Sequence, residues 1–172
     1  QEMTGATVYM SREDYEIKQK YPERVLFHDA PDFEPDEFYA DDKPITLGRC
    51  TIHTKLCPGH TPGTTSFFIE DRDENGQMLV VAMHGGVGPN TMNDAYFERF
   101  GVDKGLRRRF IEDCKAMKSI HVDISVPSHP AHGDLMVRIG SDPMDYTPLI
   151  DPTEWARFLD IRRGFVEALE AK

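Results

Sequence analysis

Residues 56–66 constrain the chain more than any other stretch, because they join two apolar segments through a loop rich in glycine and proline. Gly59 and Gly63 can adopt backbone angles that are closed to other residues, while Pro62 fixes φ and removes a hydrogen-bond donor. This composition predicts a tight connection between two strands that holds His60 at the rim of a sheet. The residues leave two interpretations of His60 open: an incidental histidine in a hairpin turn, or a functional group.

The composition predicts one globular domain over residues 1–172. Of the 172 residues, 39% are hydrophobic and 29% are charged, which suits a chain that buries a sizeable core. The formal net charge is −10, and the longest basic run is 107–109. A surface this acidic repels phosphate backbones, so we expect no nucleic-acid partner. No apolar run approaches the roughly 18 residues that span a bilayer, so we expect no membrane partner.

The cysteines argue against a disulfide scaffold or a thiolate zinc knuckle, because Cys50, Cys57 and Cys114 form no Cys-x-x-Cys pair. The chain opens almost directly on a strand pattern at residues 6–10, and we expect it to be a fragment of a longer protein. Since the natural start would then be missing, the sequence leaves the cellular compartment open.

Local patterns predict a mixture of helices and strands. Ser11 is placed to cap a helix that begins beside it. The β pattern begins at residue 45 and alternates over 52–57, and further strands are predicted at 65–70 and 78–83. The Asn-Gly pair at 75–76 predicts a hairpin turn rather than a calcium loop. Residues 22–44 lack periodicity and predict an exposed loop. Apolar spacing then predicts the C-terminal elements: a long helix over 93–120, a strand over 122–126 and a last helix from 151.

The run at residues 58–66, Pro-Gly-His-Thr-Pro-Gly-Thr-Thr-Ser, resembles the histidine loop of the metallo-β-lactamase superfamily. In that family the loop histidine is a zinc ligand, which implies the same role for His60. The apolar strand ending in Ser128-His129-Pro130 resembles the segment that carries the family's final metal ligand, so His129 is the second implied ligand. This Ser-His-Pro ending is closest to the third lactamase subclass.

His84 is the third candidate metal ligand. It follows a predicted buried strand, at the place where the family commonly has an aspartate that bridges two metals. The glycine-rich loop after it lacks the spacing of a phosphate cradle, so we expect no nucleotide site. His132 has no assured counterpart in the family, and we expect it beside the metal or in solvent.

The resemblance covers nearly the whole chain but only the C-terminal half of the family's αββα sandwich, an α/β (α+β) arrangement with a mixed sheet and helices packed on one face. The family's His-x-His-x-Asp-His motif does not occur between Gln1 and Lys172. Zinc needs three or four protein ligands, so the missing N-terminal half of the same protein is the expected partner. A sheet cut in this way exposes an apolar face or edge, which also predicts a homodimer or a swapped oligomer.

The activity implied by the resemblance is hydrolysis of a small-molecule substrate, a β-lactam or a related amide or ester, by metal-bound hydroxide. The complete protein would hold one or two zinc ions, and the fragment alone is expected to be inactive and to contain no catalytic residue besides metal ligands. A second interpretation stays open: a non-catalytic binding or structural module that keeps the fold without metal. A flavodiiron-like redox protein would need iron and an aspartate bridge that we do not find.

Overall fold

The structure is a computed structural model that describes residues 3–22, 33–86, 89–130, 132–142 and 144–171. No helix in these ranges is long and apolar enough to cross a membrane. The strands and helices, in chain order, are β1 (Tyr9–Met10), α1 (Arg12–Lys20), β2 (Glu37–Phe38), β3 (Ile45–Leu47), β4 (Cys50–Leu56), β5 (Thr65–Arg72), β6 (Met78–Met83), α2 (Asp94–Phe100), α3 (Gly105–Met117), β7 (Ile124–Ser125), α4 (Leu135–Arg138) and α5 (Glu154–Glu170).

Five of the strands form one mixed sheet in the order β3-β4-β5-β6-β7. Neighbouring strands run antiparallel from β3 to β6, and β7 joins β6 in parallel. The β5–β6 hairpin turns at Gly76, whose φ of 82° lies in the left-handed region that favours glycine. The Asp73 carboxylate closes the turn by accepting hydrogen bonds from the backbone N–H groups of Asn75 and Gln77, at 2.9 and 2.7 Å. The predicted hairpin is confirmed.

One face of this sheet packs against α3 and α5. Phe68 and Ala82 are paired across β5 and β6 and point to this face, where Trp155 of α5 meets Phe68 edge to face at 5.6 Å between ring centroids. A fully buried large apolar side chain contributes about 1.5–3 kcal/mol, so this layer dominates the stability of the domain. The prediction of an α/β fold with a mixed sheet and helices packed on one face is confirmed. The main buried members are Cys57, Phe68, Ala82, Met92, Phe97, Phe110, Ile111, Cys114, Met117, Val122, Trp155, Phe158, Leu159 and Val166.

The opposite face of the sheet is also apolar, although it lies outside this core. A row of β-branched residues crosses all five strands through directly paired positions, and most of its side chains are half-buried. A face of this kind requires a second layer to cover it. In strand order the row is Ile45, Ile52, Ile69, Val81 and Ile124.

A small two-stranded sheet begins that second layer. Strands β1 and β2 pair in parallel and are connected through α1. Tyr9 stacks on Tyr39 at 5.9 Å, and Tyr39 meets Phe67 of the large sheet edge to face at 5.3 Å. The small sheet therefore covers one part of the second apolar face.

Several predicted elements differ from the structure. The strand predicted over 6–10 is reduced to β1. The helix predicted over 93–120 is divided into α2 and α3, because Gly101 adopts a φ of 60° and caps α2. The strand predicted over 122–126 is reduced to β7, which pairs with β6 over two residues. The loop predicted over 22–44 contains β2, and its residues 23–32 lie outside the described part of the chain.

The Asp14 carboxylate ties α1 to the loop between β4 and β5. One carboxylate oxygen accepts the backbone N–H of Gly63 at 2.9 Å, and the other accepts the Thr61 hydroxyl at 2.7 Å. A Cβ on Gly63 would lie 2.5 Å from the carboxyl carbon of Asp14, so the approach is open only to glycine. Ser11 caps the same helix by accepting the Asp14 N–H at 3.4 Å, as the sequence predicts.

We expect the substitution Asp14→Ala to lower the free energy of unfolding by about 1–3 kcal/mol, because two partly buried donors lose their charged acceptor. Urea denaturation of the 172-residue chain measures the change. The control Glu16→Ala alters an exposed carboxylate of the same helix, and we expect a change within about 0.5 kcal/mol. Equal losses in the two variants would contradict the role given to Asp14.

Candidate functional site

The sheet brings three candidate histidine segments to one edge. Register places the end of β4 beside the start of β5, since Leu56 pairs with Thr65, and it places the end of β6 beside the same strand. Because β7 is parallel to β6, their C-terminal ends also lie side by side. We call this end of the sheet, formed by residues 57–64, 84–86, 126–130 and 132–134, the histidine edge.

Backbone hydrogen bonds fix the loop that carries His60. The N–H of Cys57 donates to the carbonyl of Thr64 at 2.8 Å, and the N–H of Gly59 donates to the carbonyl of Thr61 at 3.0 Å. The Thr64 hydroxyl accepts the N–H of Thr61 at 2.9 Å. The His60 side chain itself is exposed. A rigid loop thus presents an accessible imidazole, which suits the predicted ligand role without testing it.

The two glycines after His84 allow close packing that a larger residue would prevent. A Cβ on Gly85 would lie 2.0 Å from the carbonyl oxygen of Thr65, and one on Gly86 would lie 2.6 Å from the Cβ of His60. Real Cβ atoms do not approach so closely, so this loop rests directly on the His60 loop. Sequence reasoning considered these glycines only as a phosphate cradle. The adjacent pair, directly after a buried strand, was the available signal for close backbone packing.

His84 lies inside the aromatic core instead of at the surface, with 1% of its area exposed. Its Nδ1 accepts the N–H of Gly86 at 3.2 Å, and its ring lies 5.7 Å from Phe110 and 6.4 Å from Phe158 between centroids. Burial, together with the positive charge of Arg162, lowers the pKa of His84 to about 4. His84 is therefore neutral at pH 7 and carries its proton on Nε2. Its role as a ligand stays a prediction.

His129 and His132 lie on the turn that follows β7. Their rings are 5.2 Å apart between centroids, and the N–H of His132 donates to the carbonyl of His129 at 2.9 Å. His129 is exposed and His132 is half-buried. Burial, followed by the charges of Arg162 and His129, lowers the pKa of His132. The turn thus offers one accessible imidazole, that of His129, at the histidine edge.

The described residues do not form a complete zinc site. Within the described ranges, no three His, Cys, Asp or Glu side chains are grouped so that they could hold a metal. His60 and His129 are accessible, whereas His84 is enclosed and its Nδ1 is already bonded. Zinc needs three or four protein ligands, so two accessible imidazoles are an incomplete set.

A cleft of about 690 Å³ lies behind the His60 loop, between α1 and the connection from α2 to α3. Pro58 and Pro62 of the loop form part of its wall, Ile17 and Leu106 contribute apolar surface, and Arg109 lies among the charged groups. The side chains of His60, His84 and His129 do not line it. The cleft therefore adjoins the histidine edge through Pro58 and Pro62 but is not lined by its three candidate ligands.

No known family profile and no curated protein match this chain, but solved structures resemble it. BJP-1, a subclass B3 metallo-β-lactamase of Bradyrhizobium japonicum, has a TM-score of 0.79 at 18% identity, with 99% of this chain and 65% of that chain covered. The metallo-β-lactamase GOB-18 from Elizabethkingia meningoseptica has a TM-score of 0.77 at 22% identity, with the same coverage of 99% and 65%.

A third structure, LRA-12, is described as a class B3 di-zinc metallo-β-lactamase from an Alaskan soil metagenome. It has a TM-score of 0.75 at 19% identity, with 97% of this chain and 64% of that chain covered. Identities this low show the fold alone, so the chain has the metallo-β-lactamase superfamily fold, with subclass B3 structures among those it resembles. The fold that residues 58–66 suggested is confirmed. The chain spans 64–65% of the length of these three structures.

The neutral state of His84 predicts a pH dependence of stability. Its pKa falls from the ordinary 6.5 to about 4 on folding, so the unfolded chain binds the extra proton first as pH falls. This contribution is complete above pH 6.5 and is lost as pH falls toward 4, by a total of about 3 kcal/mol. Urea denaturation of wild type and His84→Gln across this range, in metal-free buffer, measures it. Parallel pH profiles for the two proteins would contradict the prediction.

Proposed function

We propose that this chain supplies part of the metal-binding edge of a zinc-dependent hydrolase that acts on a β-lactam or a related amide or ester. The observation that carries the proposal is that His60 and His129 are both accessible at one edge of a sheet with the metallo-β-lactamase fold. The description of LRA-12 as a di-zinc enzyme supports the choice of metal. Zinc, when bound, supplies a Lewis acid that polarises the scissile carbonyl and makes hydroxide available near neutral pH.

In this proposal the residues of this chain supply two zinc ligands and hold them in position, but they do not complete the zinc site. Gly86 packs against His60, and Asp14 accepts a hydrogen bond from the loop that carries His60. The His60 imidazole therefore needs little rearrangement to bind a metal. His129 would be the second ligand from this chain. The remaining ligands would come from a His-x-His-x-Asp-His segment in the N-terminal half of the same protein.

The uncovered face of the large sheet supports this choice of partner. The apolar row that crosses β3 to β7 needs a covering layer, and β1 and β2 start one. Parallel sheets of only two strands are marginal by themselves, so β1 and β2 favour further strands beside them. A homodimer or a swapped oligomer could cover the same face. The net charge of −10 on each copy opposes close approach of two copies, which favours the N-terminal half.

A non-catalytic module that keeps the fold without metal is the second candidate. The specific observation in its favour is the enclosed position of His84, which serves core packing where a metalloenzyme of this fold commonly has a bridging aspartate. The two candidates differ in their response to a chelator. A zinc site contributes to stability and loses that contribution when the metal is removed, whereas a metal-free module keeps its stability.

We expect the substitution His60→Ala, in the full-length protein, to lower the zinc content and to reduce nitrocefin hydrolysis by more than about 100-fold. Replacing a residue that only orients a metal ligand already costs about 10–100-fold in metal affinity or activity, and loss of the ligand itself costs more. Metal analysis and turnover measure both effects. The control His121→Ala removes an exposed histidine that precedes β7, away from the histidine edge, and should leave both unchanged. A full-length protein without zinc, hydrolysis or chelator sensitivity would contradict the hydrolase and favour the module.

The proposed covering layer is tested by Ile69→Lys at the centre of the apolar row. In the 172-residue chain we expect a small change in the free energy of unfolding, since a lysine can reach water from a half-buried site. In the full-length protein we expect a loss of about 3 kcal/mol, because the same charge would lie between two layers. Equal losses in both forms would contradict a covering N-terminal half. Sedimentation of the 172-residue chain then reports whether a second copy covers the face.

A further inference from the structure

Three buried polar atoms beside α5 have no partner in the part of the chain that the structure describes: Nε2 of His84, Nδ1 of His132 and Nε of Arg162. Buried polar groups are normally hydrogen-bonded, so three unpartnered atoms in one region require an explanation. The other unpartnered buried atoms differ from them, because each belongs to a side chain in an ion pair, namely Asp113 with Arg109, Asp160 with Arg163, and Arg163 with Glu167.

Two of these side chains lie beside the ring of Phe158, and the third, that of His132, precedes a residue that packs on this ring. The guanidinium carbon of Arg162 lies 5.1 Å from the centroid of this ring, and the ring of His84 lies 6.4 Å from it. The residue after His132, Gly133, packs on the same ring, since a Cβ there would lie 3.7 Å from Cδ2 of Phe158. Arg162 is also close enough to lower the pKa of both histidines through its charge. We call this group of His84, His132, Phe158 and Arg162 the α5 cluster.

The positions of the protons show that the cluster has an excess of hydrogen-bond donors. Nδ1 of His84 accepts the N–H of Gly86, so the proton of the neutral ring is on Nε2, which can only donate. Nε of Arg162 also can only donate. His132 can donate from Nδ1 in one of its tautomers. Polar atoms of three separate segments are therefore buried near Phe158 without a hydrogen-bond partner among the described residues, and two of the three can only donate.

The charge of Arg162 decides what kind of group the donors would bind. Arg162 forms no ion pair with any carboxylate in the described ranges, and its guanidinium would repel a metal cation. The nearest acid on the same face of α5, Glu154, is held by Arg157, with Nε of Arg157 donating to it at 2.8 Å. An anion is the ligand that supplies both a negative charge and the missing acceptor.

We propose that the α5 cluster binds a small monovalent anion such as chloride or formate. The size limit follows from His84, which has only 1% of its area exposed, so a bulky molecule does not reach its Nε2. A bound anion would offset the charge of Arg162 and hold the ring of His84. Since His84 bonds Gly86 and Gly86 rests on His60, occupancy would also steady the His60 loop. No step of this inference depends on zinc or on hydrolysis.

The test is a titration of the metal-free 172-residue chain with sodium chloride and, separately, with sodium formate. Sodium gluconate keeps the ionic strength constant, and its anion is too large for the cluster. We expect a saturable rise in Tm with each small anion, as for any ligand that binds only the folded state. Sodium benzoate should give no such rise.

The variant Arg162→Met removes the charge and keeps an apolar chain against Phe158. We expect its half-saturating formate concentration to increase about tenfold or more, because a hydrogen bond to a charged group is lost. The matched control Arg108→Met removes the same charge from an exposed position of α3 and should respond to formate as wild type does. An equal response of Arg162→Met and wild type would overturn the proposal.

A second measurement on the wild type keeps the proposal testable if Arg162→Met fails to fold. Proton–nitrogen correlation spectra of the histidine rings report the Nε2–H of His84 directly, and we expect this signal to shift saturably with formate or chloride. No shift and no change in Tm with either anion would overturn the proposal and indicate that buried water satisfies the donors. An equal response to benzoate would overturn the size limit. Because zinc is absent from these experiments, their failure leaves the hydrolase proposal unaffected.

Discussion

Close backbone packing at the histidine edge is the constraint on which the rest of the structure depends. The loop after β6 lies directly on the start of β5, where a Cβ on Gly85 would lie 2.0 Å from the carbonyl oxygen of Thr65. The next glycine, Gly86, rests against His60 in the same way. These contacts fix the distance between two loops that belong to different strands. The shape of this edge is therefore set largely by backbone atoms, which, unlike side chains, do not switch between rotamers.

The two faces of the large sheet have different roles. One stabilises the domain, and the other is open to assembly with the proposed partner. One face is covered by α3 and α5, and its buried aromatic rings give the chain a core of its own. The other carries an apolar row from Ile45 to Ile124 that this core does not include. Such a chain can form its own core on one face of the sheet and pack against the proposed partner on the other face. Its fold and its proposed partner thus follow from the same alternation of side chains along the strands.

Much of the fold could be predicted from the sequence, because local signals and tertiary packing agree there. The Asn-Gly pair at 75–76, the cap at Ser11, the alternation in β4 and the apolar runs of β5 and β6 each predicted the observed element. The long helix over 93–120 failed because its apolar spacing continues through Gly101, whose left-handed conformation ends α2. The burial of His84 could not be predicted, because the same sequence pattern fits a ring that points to solvent and a ring that points to the core. The α5 cluster could not be predicted either, because it combines three segments that are distant in the sequence.

The Asp14 carboxylate has a consequence for the order of assembly. Asp14 belongs to α1, which connects the two strands of the small sheet, yet its two bonds fix the loop of the large one. Two of the hydrogen bonds that hold the His60 loop are therefore available only when the β1-α1-β2 unit is docked. One side chain thus makes the full support of a predicted ligand conditional on a layer to which that ligand does not belong.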